Sequence, residues 1–190
     1  RDRPYLAFAG LTGFGLIAPT MLWILLPIYA KSNFGLPESL YGWIPTTNAV
    51  MCVFLQFPIT EITRRFRALR VTAVGMLVYA LGAGSVAMME GFWGFWVSMV
   101  VLTFGELILV PTSSKYVADL APPDLRGRYM SIYWLSWGTA RTLAPLIGGM
   151  LNDTLGGQAI WLGGLALGAL SASGLFVLSR RSAADSPVVF

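Results

Sequence analysis

Six long stretches of this chain are almost free of charge, and no other feature restricts its fold as strongly. Pro4–Ala30, Ser39–Thr60, Val71–Met89 and Thr154–Ser179 contain no Asp, Glu, Lys or Arg; Gly91–Ser114 is interrupted only by Glu106 and Tyr129–Asn152 only by Arg141. At a rise of about 1.5 Å per residue, each can cross a hydrocarbon layer about 30 Å thick as an α-helix. The stretches are too long for strands and lack the alternation of a membrane barrel. Hydrophobic residues make up 56% of the 190-residue chain and charged residues 12%, about half the charged share of a soluble domain. Most of the surface therefore faces a solvent other than water, and the same composition excludes a disordered chain. The expected fold is all-α: a single six-helix transmembrane domain over residues 1–190, with helices at about 5–30, 39–62, 71–89, 92–115, 129–151 and 157–179. The start at Arg1, with no signal-peptide pattern after it, reads as a cut inside a longer chain.

The reactive side chains narrow the chemistry. Histidine is absent and Cys52 is the single cysteine, which removes Ser-His and Cys-His catalysis, His-ligated metals and thiolate clusters. No phosphate-binding glycine loop is present. No metal, cofactor or enzymatic activity is expected, and Cys52 reads as a small buried hydrophobe.

The loops orient the bundle. Arg1 and Arg3, then Arg64, Arg65, Arg67 and Arg70, then Lys115, Arg126 and Arg128, and finally Arg180 and Arg181 fall on one side; Lys31 alone falls on the other. This asymmetry places both termini in the cytoplasm and makes a multi-pass plasma (cytoplasmic, inner) membrane protein the expectation. Basic residues spread over loops in this way do not form the single water-facing surface that nucleic acid needs. Helices one to three start inside and finish outside and helices four to six start outside and finish inside, a three-plus-three layout with the topology of an inverted repeat. Pro19, Pro27, Pro45, Pro58, Pro111 and Pro145 lie inside the spans, where neighbouring helices or a wet cavity must satisfy the carbonyls they free. Gly164 and Gly168 form a GxxxG in the last span, suited to close helix contact.

Glu106 and Arg141 are the sharpest features, because an ionised side chain in hydrocarbon is costly unless paired or hydrated. Counted along ideal helices, Glu106 lies about 21 Å from the outer end of its span and Arg141 about 18 Å from the inner end of its own, so their depths differ by roughly 9 Å. Three roles fit: a structural ion pair, a proton-coupling carboxylate with its partner, or substrate contact. Asn48 and Gln56 in the second span, with Trp23, Tyr29, Trp134 and Trp137, compose a mostly apolar and weakly polar cavity wall. Such a wall suits a hydrophobic or amphipathic solute better than a sugar or phosphate. Aromatics serve equally in packing and at interfaces.

Three stretches resemble the major facilitator superfamily of transporters. Phe54-Leu-Gln-Phe-Pro-Ile-Thr-Glu61 with Arg64-Arg65-Phe66-Arg67 is similar to its basic cytoplasmic motif, with Pro58, Thr63 and Phe66 where glycine, aspartate and glycine are usual. Gly105-Glu106, Pro111 and the run Ala118-Asp119 through Arg126-Gly127-Arg128 resemble bacterial drug:proton antiporters of the family. Gly138 through Ala144-Pro145-Leu-Ile-Gly148-Gly149 is similar to the family's antiporter motif, with Ala144 in place of glycine and in the other half of the molecule. The resemblance implies the carboxyl-terminal half of a transporter. Its partners would be the lipid bilayer, the amino-terminal half, a small-molecule substrate and protons. Glu61, Arg64, Arg65 and Arg67 would form a cytoplasmic latch, a role that basic residues at a helix end also fit on physical grounds, beside that of simple topology anchors. The function implied is proton-coupled efflux of the multidrug type. Proton-coupled uptake of a metabolite, or a non-transporting receptor or assembly protein on the same fold, are the alternatives.

Overall fold

The computed structural model describes residues 3–181, and these residues form helices and short connections, without β-sheet. In chain order the helices are α1 (Arg3–Gly15), α2 (Ile17–Phe34), α3 (Glu38–Tyr41), α4 (Trp43–Thr63), α5 (Ala68–Ser85), α6 (Gly91–Leu120), α7 (Arg126–Leu155) and α8 (Gly157–Arg181). They make six long rods, because α1–α2 and α3–α4 are each one rod with a break. Both breaks have the same cause. A proline lacks the N–H for the carbonyl four residues back and collides with it. Pro19 thus ends α1 at Gly15, and Pro45 ends α3 at Tyr41. Thr20 Oγ1 donates to the Leu16 carbonyl at 2.6 Å across the first break.

The rods outrun the uncharged stretches that announce them. A charge does not end a helix that has reached water, and the Lys115–Asp119 ion pair at 2.9 Å carries α6 beyond its apolar part. Glycines in the left-handed region set the ends instead: Gly35 at φ 61° closes α2 and Gly156 at φ 88° closes α7. By length and composition, four rods are apolar enough to cross a membrane: Arg3–Phe34, Ala68–Met88, Gly91–Leu120 and Gly157–Arg181. The other two of the six rods, α3–α4 and α7, fall outside these four. These two carry more polar residues, including Glu61 on α4 and Arg126, Arg128, Arg141 and Asp153 on α7, and they bury the fewest side chains of the long helices.

The packing is reciprocal. The middle helix of the first triplet, α4, lies against α6; the middle helix of the second, α7, lies against α1 and α2; and α5 and α8 meet at the centre. This exchange is what a two-fold relation between inverted triplets produces. The tightest contact is between α5 and α6. A Cβ on Gly82 would stand 2.3 Å from the Leu102 nitrogen, one on Gly105 2.3 Å from the Tyr79 nitrogen, and one on Gly75 2.9 Å from the Leu109 nitrogen. Each step along α5 is matched by an equal step back along α6, so the helices are antiparallel with backbones in contact. The GxxxG of α8 acts as expected: Gly164 meets Ala18 and Met21 of α2, and Gly168 meets Ala80 of α5.

Aromatic clusters close both ends of the bundle. At one end the Tyr5 ring lies 4.3 Å from Tyr129 and Phe8 4.8 Å from Tyr116. At the other, Tyr29 packs edge-on against Trp161 at 5.2 Å and Phe34 against Phe95 at 5.2 Å. At that second end Lys31 pairs with Glu38, and the hydrogen bond from Lys31 holds the exposed Glu38 carboxyl below its ordinary range. Some buried hydroxyls bond across helices, as Ser113 with Tyr133 at 2.7 Å and Ser171 to the Leu11 carbonyl at 2.7 Å do.

Candidate functional site: an open cavity lined by five helices

Glu106 and Arg141 each lie at the midpoint of a 30-residue helix, α6 and α7 respectively. The depth offset counted from the uncharged stretches therefore disappears once the true helix ends are known. Both side chains line one cavity of about 580 Å³, with Thr20, Trp23 and Ile24 of α2, Asn48 of α4, Tyr79 of α5 and Trp137 of α7. No ion pair joins Glu106 to Arg141 in this conformation. The Asn48 amide instead donates to Glu106 Oε2 at 2.8 Å and to Thr103 Oγ1 at 3.0 Å.

Local sequence explains this placement. Gly105 allows α6 to rest on the Tyr79 backbone, which sets Tyr79 and the neighbouring Glu106 around the same space. Prolines four residues beyond Trp23, Leu107 and Arg141 remove the helical donors to those three carbonyls. One freed carbonyl has a substitute: Gln56 Nε2 donates to Leu107 O at 3.2 Å and also to Thr60 Oγ1 at 3.1 Å. Cys52, one turn from Asn48, is half-buried with its sulfur 4.0 Å from Asn48 Oδ1.

The expected cavity wall is gathered only in part. Trp23, Trp137 and Asn48 line the cavity with Glu106 and Arg141. Gln56 lies further along α4 and ties it to α6. Tyr29 is buried in the aromatic cluster at the Lys31 end, where it also borders a smaller hollow between α2, α7 and α8. Trp134 stands 55% exposed beside Tyr133 and Trp137 and is not among the residues lining the cavity. Both aromatics sit on helices that supply the wall, but they project from other faces. Thr20, Ile24 and Tyr79 line the cavity and were not foreseen; Gly75 and Gly82, on the same helix as Tyr79, were the available signal that it packs closely. Of the expected latch residues, Glu61 pairs with Arg64 one turn away. Arg65 and Arg67 have no carboxylate partner among the described residues and border a separate cavity beside α5. No cluster of His, Cys, Asp and Glu suited to a metal occurs among the described residues.

A bundle of long apolar helices with a mostly apolar cavity that holds Glu106 and Arg141 agrees with what the chain is similar to. Residues 7–188 match the Major Facilitator Superfamily. An uncharacterized MFS-type transporter, YhjO, of Bacillus subtilis is 28% identical over 134 residues, covering 70% of this chain and 33% of the relative. A Na(+), Li(+), K(+)/H(+) antiporter of Planococcus maritimus is 26% identical over 160 residues, covering 77% of this chain and 38% of the relative. The multidrug resistance protein MdtH of Proteus mirabilis is 30% identical over 90 residues, covering 47% and 22%. Among solved structures, a bacterial homologue of the human lysosomal transporter Spinster, inward-facing and unoccupied, superposes with a TM-score of 0.77 at 17% identity, covering all of this chain and 44% of that one. A peptide transporter superposes with a TM-score of 0.68 at 21% identity, covering 98% and 38%. The chain thus spans well under half the length of the relatives it matches. It is an integral membrane protein of a transporter family, not an enzyme family, and it belongs to the major facilitator superfamily.

Proposed function

We propose that this six-helix unit is the carboxyl-terminal half of a secondary transporter. It moves a small hydrophobic or amphipathic solute by alternating access, with proton-coupled efflux as the direction. The carrying observation is that the two mid-span charges, Glu106 and Arg141, line one cavity of about 580 Å³. That size suits a small organic molecule, and Trp23, Ile24, Trp137 and Tyr79 give it an apolar, aromatic character. Relatives named as a cation/H(+) antiporter and as multidrug resistance proteins support the efflux reading.

In this reading Glu106 exchanges its bond to Asn48 for one to Arg141 as the site changes access. It takes up a proton in one of the two states, because a carboxylate in a drying site is stable only when paired or neutral. The amino-terminal half covers the sparsely buried helices α4 and α7 and supplies the opposite wall. Both termini and the basic loops face the cytoplasm, and Glu61, Arg64, Arg65 and Arg67 bias which side is open. The test is solute flux into inverted membrane vesicles holding the full-length protein, with and without an imposed proton gradient. Gradient-dependent accumulation is expected. Equal accumulation without the gradient would remove proton coupling, and none under any gradient would remove transport.

A further inference from the structure

We infer that the cleft between α4 and α5 is a binding site for one anionic phospholipid, whose headgroup sits among Arg65, Arg67 and Arg70. The inference rests on the chain being embedded in a bilayer; the side assigned above decides only which leaflet supplies the lipid.

The cleft has a structural origin. α4 lies on α6 and α5 lies on α6, but α4 and α5 barely touch, so the turn joining them spans an opening whose floor is α6. A cavity of about 430 Å³ occupies this opening, bordered by Thr63 at the end of α4, by the turn, by Val71 and Val74 of α5, and by Ile108 of α6. Three guanidinium groups belong to its rim: Arg65, Arg67 and Arg70. All three are exposed, and none has a carboxylate within ion-pair distance among the described residues. The nearest acid in sequence, Glu61, is taken by Arg64. The first turn of α5 adds to the same field. It contains no acidic residue, and Arg67 at its N-cap makes no side-chain cap, so the positive end of the helix dipole lies at this end.

The apolar part selects a lipid over a free anion. From Arg70, an exposed stripe runs up α5 through Val74, Leu77 and Leu81 at helical spacing. That stripe is about 16 Å long at 1.5 Å per residue, comparable to an acyl chain in one leaflet. Phe66 is 58% exposed beside the arginines and adds an apolar ring to the cavity's border. A soluble phosphate would use the guanidinium groups and leave the stripe idle; a zwitterionic lipid would use the stripe and offset part of the charge complementarity. A phospholipid with net negative charge uses both.

The experiment is native mass spectrometry of the detergent-purified full-length protein with equal amounts of phosphatidylglycerol and phosphatidylcholine. Phosphatidylglycerol should be retained preferentially. Arg70→Gln should weaken its binding about fivefold, and the joint change of Arg65, Arg67 and Arg70 to Gln should lower it to the level of phosphatidylcholine. Changing Arg180 and Arg181 to Gln should alter nothing. Leu77→Glu, which keeps every arginine, should weaken retention of both lipids, since both use the stripe. If the triple variant does not purify as a folded species, the Arg70→Gln and Leu77→Glu results decide alone. Unchanged retention in Arg70→Gln and Leu77→Glu would overturn the site. So would displacement of phosphatidylglycerol by millimolar inorganic phosphate with Leu77→Glu silent, because the pocket would then hold only free anions. A protein that binds the lipid but moves no solute would leave this site standing and sink the transport reading.

Discussion

Gln56 on α4 donates its side-chain amide to the backbone carbonyl of Leu107 on α6 at 3.2 Å, and Leu107 is the residue whose own helical donor Pro111 eliminates. The proline that weakens α6 one residue from Glu106 is thereby compensated by a side chain from a neighbouring helix. The bond also holds α4, which buries little else, against the bundle.

Gln56→Leu should therefore leave a carbonyl unsatisfied and destabilise the protein by about 1–3 kcal/mol. Pro111→Ala restores the intrahelical donor, so the pair of changes should cost less than the sum of the two alone. Thermal unfolding in detergent, read as a double-mutant cycle, checks this; strict additivity would separate Gln56 from the proline break.

Glycine tolerance should follow the packing and not the composition. Gly82→Ala drives a Cβ to 2.3 Å from backbone of α6, whereas Gly10 has nothing within 4 Å. Gly82→Ala should lower stability by about 1–3 kcal/mol or prevent insertion. Gly10→Ala should be neutral or slightly stabilising, because alanine favours helix. Similar melting temperatures for the two variants would contradict the α5–α6 register.

Orientation is open to a labelling experiment in a Cys52→Ser background. Cysteines at the exposed positions Asn33 and Asp153 should react with an impermeant maleimide added outside intact cells, and one at the exposed Asp124, between α6 and α7, should react only after lysis. The reverse pattern would invert the bundle.

Replacing Arg64, Arg65 and Arg67 together with Gln should change turnover more than apparent substrate affinity, if these residues bias the access equilibrium. Since Arg64 holds Glu61 one turn away, the single Arg64→Gln change should have the smaller effect. Normal flux and normal insertion in the triple variant would reduce the three to topology anchors.

Much of this was legible in the residues, for physical reasons that also mark the limit. Six uncharged stretches indicate six rods because charges are expelled from hydrocarbon, and Glu106 and Arg141 stand out for the same reason. Which way a residue faces around its helix is not legible in that way. In a membrane both the lipid-facing and the buried sides are apolar, so hydropathy did not separate Trp137, which reaches the cavity, from Trp134, which is exposed, or Trp23 from Tyr29. Tyr79 escaped notice because its place depends on glycines of two helices meeting backbone to backbone. A charge count does not register uncharged polar residues such as Thr46, Thr47, Asn48 and Gln56, which lower the hydropathy of α4 without interrupting its uncharged stretch.

The central claim is that Glu106 carries the proton and exchanges Asn48 for Arg141 during the cycle. The most direct measurement is solute flux against external pH in proteoliposomes of the full-length protein, for wild type, Glu106→Gln, Arg141→Met and the double variant. Glu106→Gln should flatten the pH profile and abolish uphill transport while retaining downhill exchange. Arg141→Met should slow downhill exchange more than the double variant does, because it leaves the carboxylate without its alternate partner. A Glu106→Gln protein that keeps the wild-type pH profile and uphill accumulation would contradict the account.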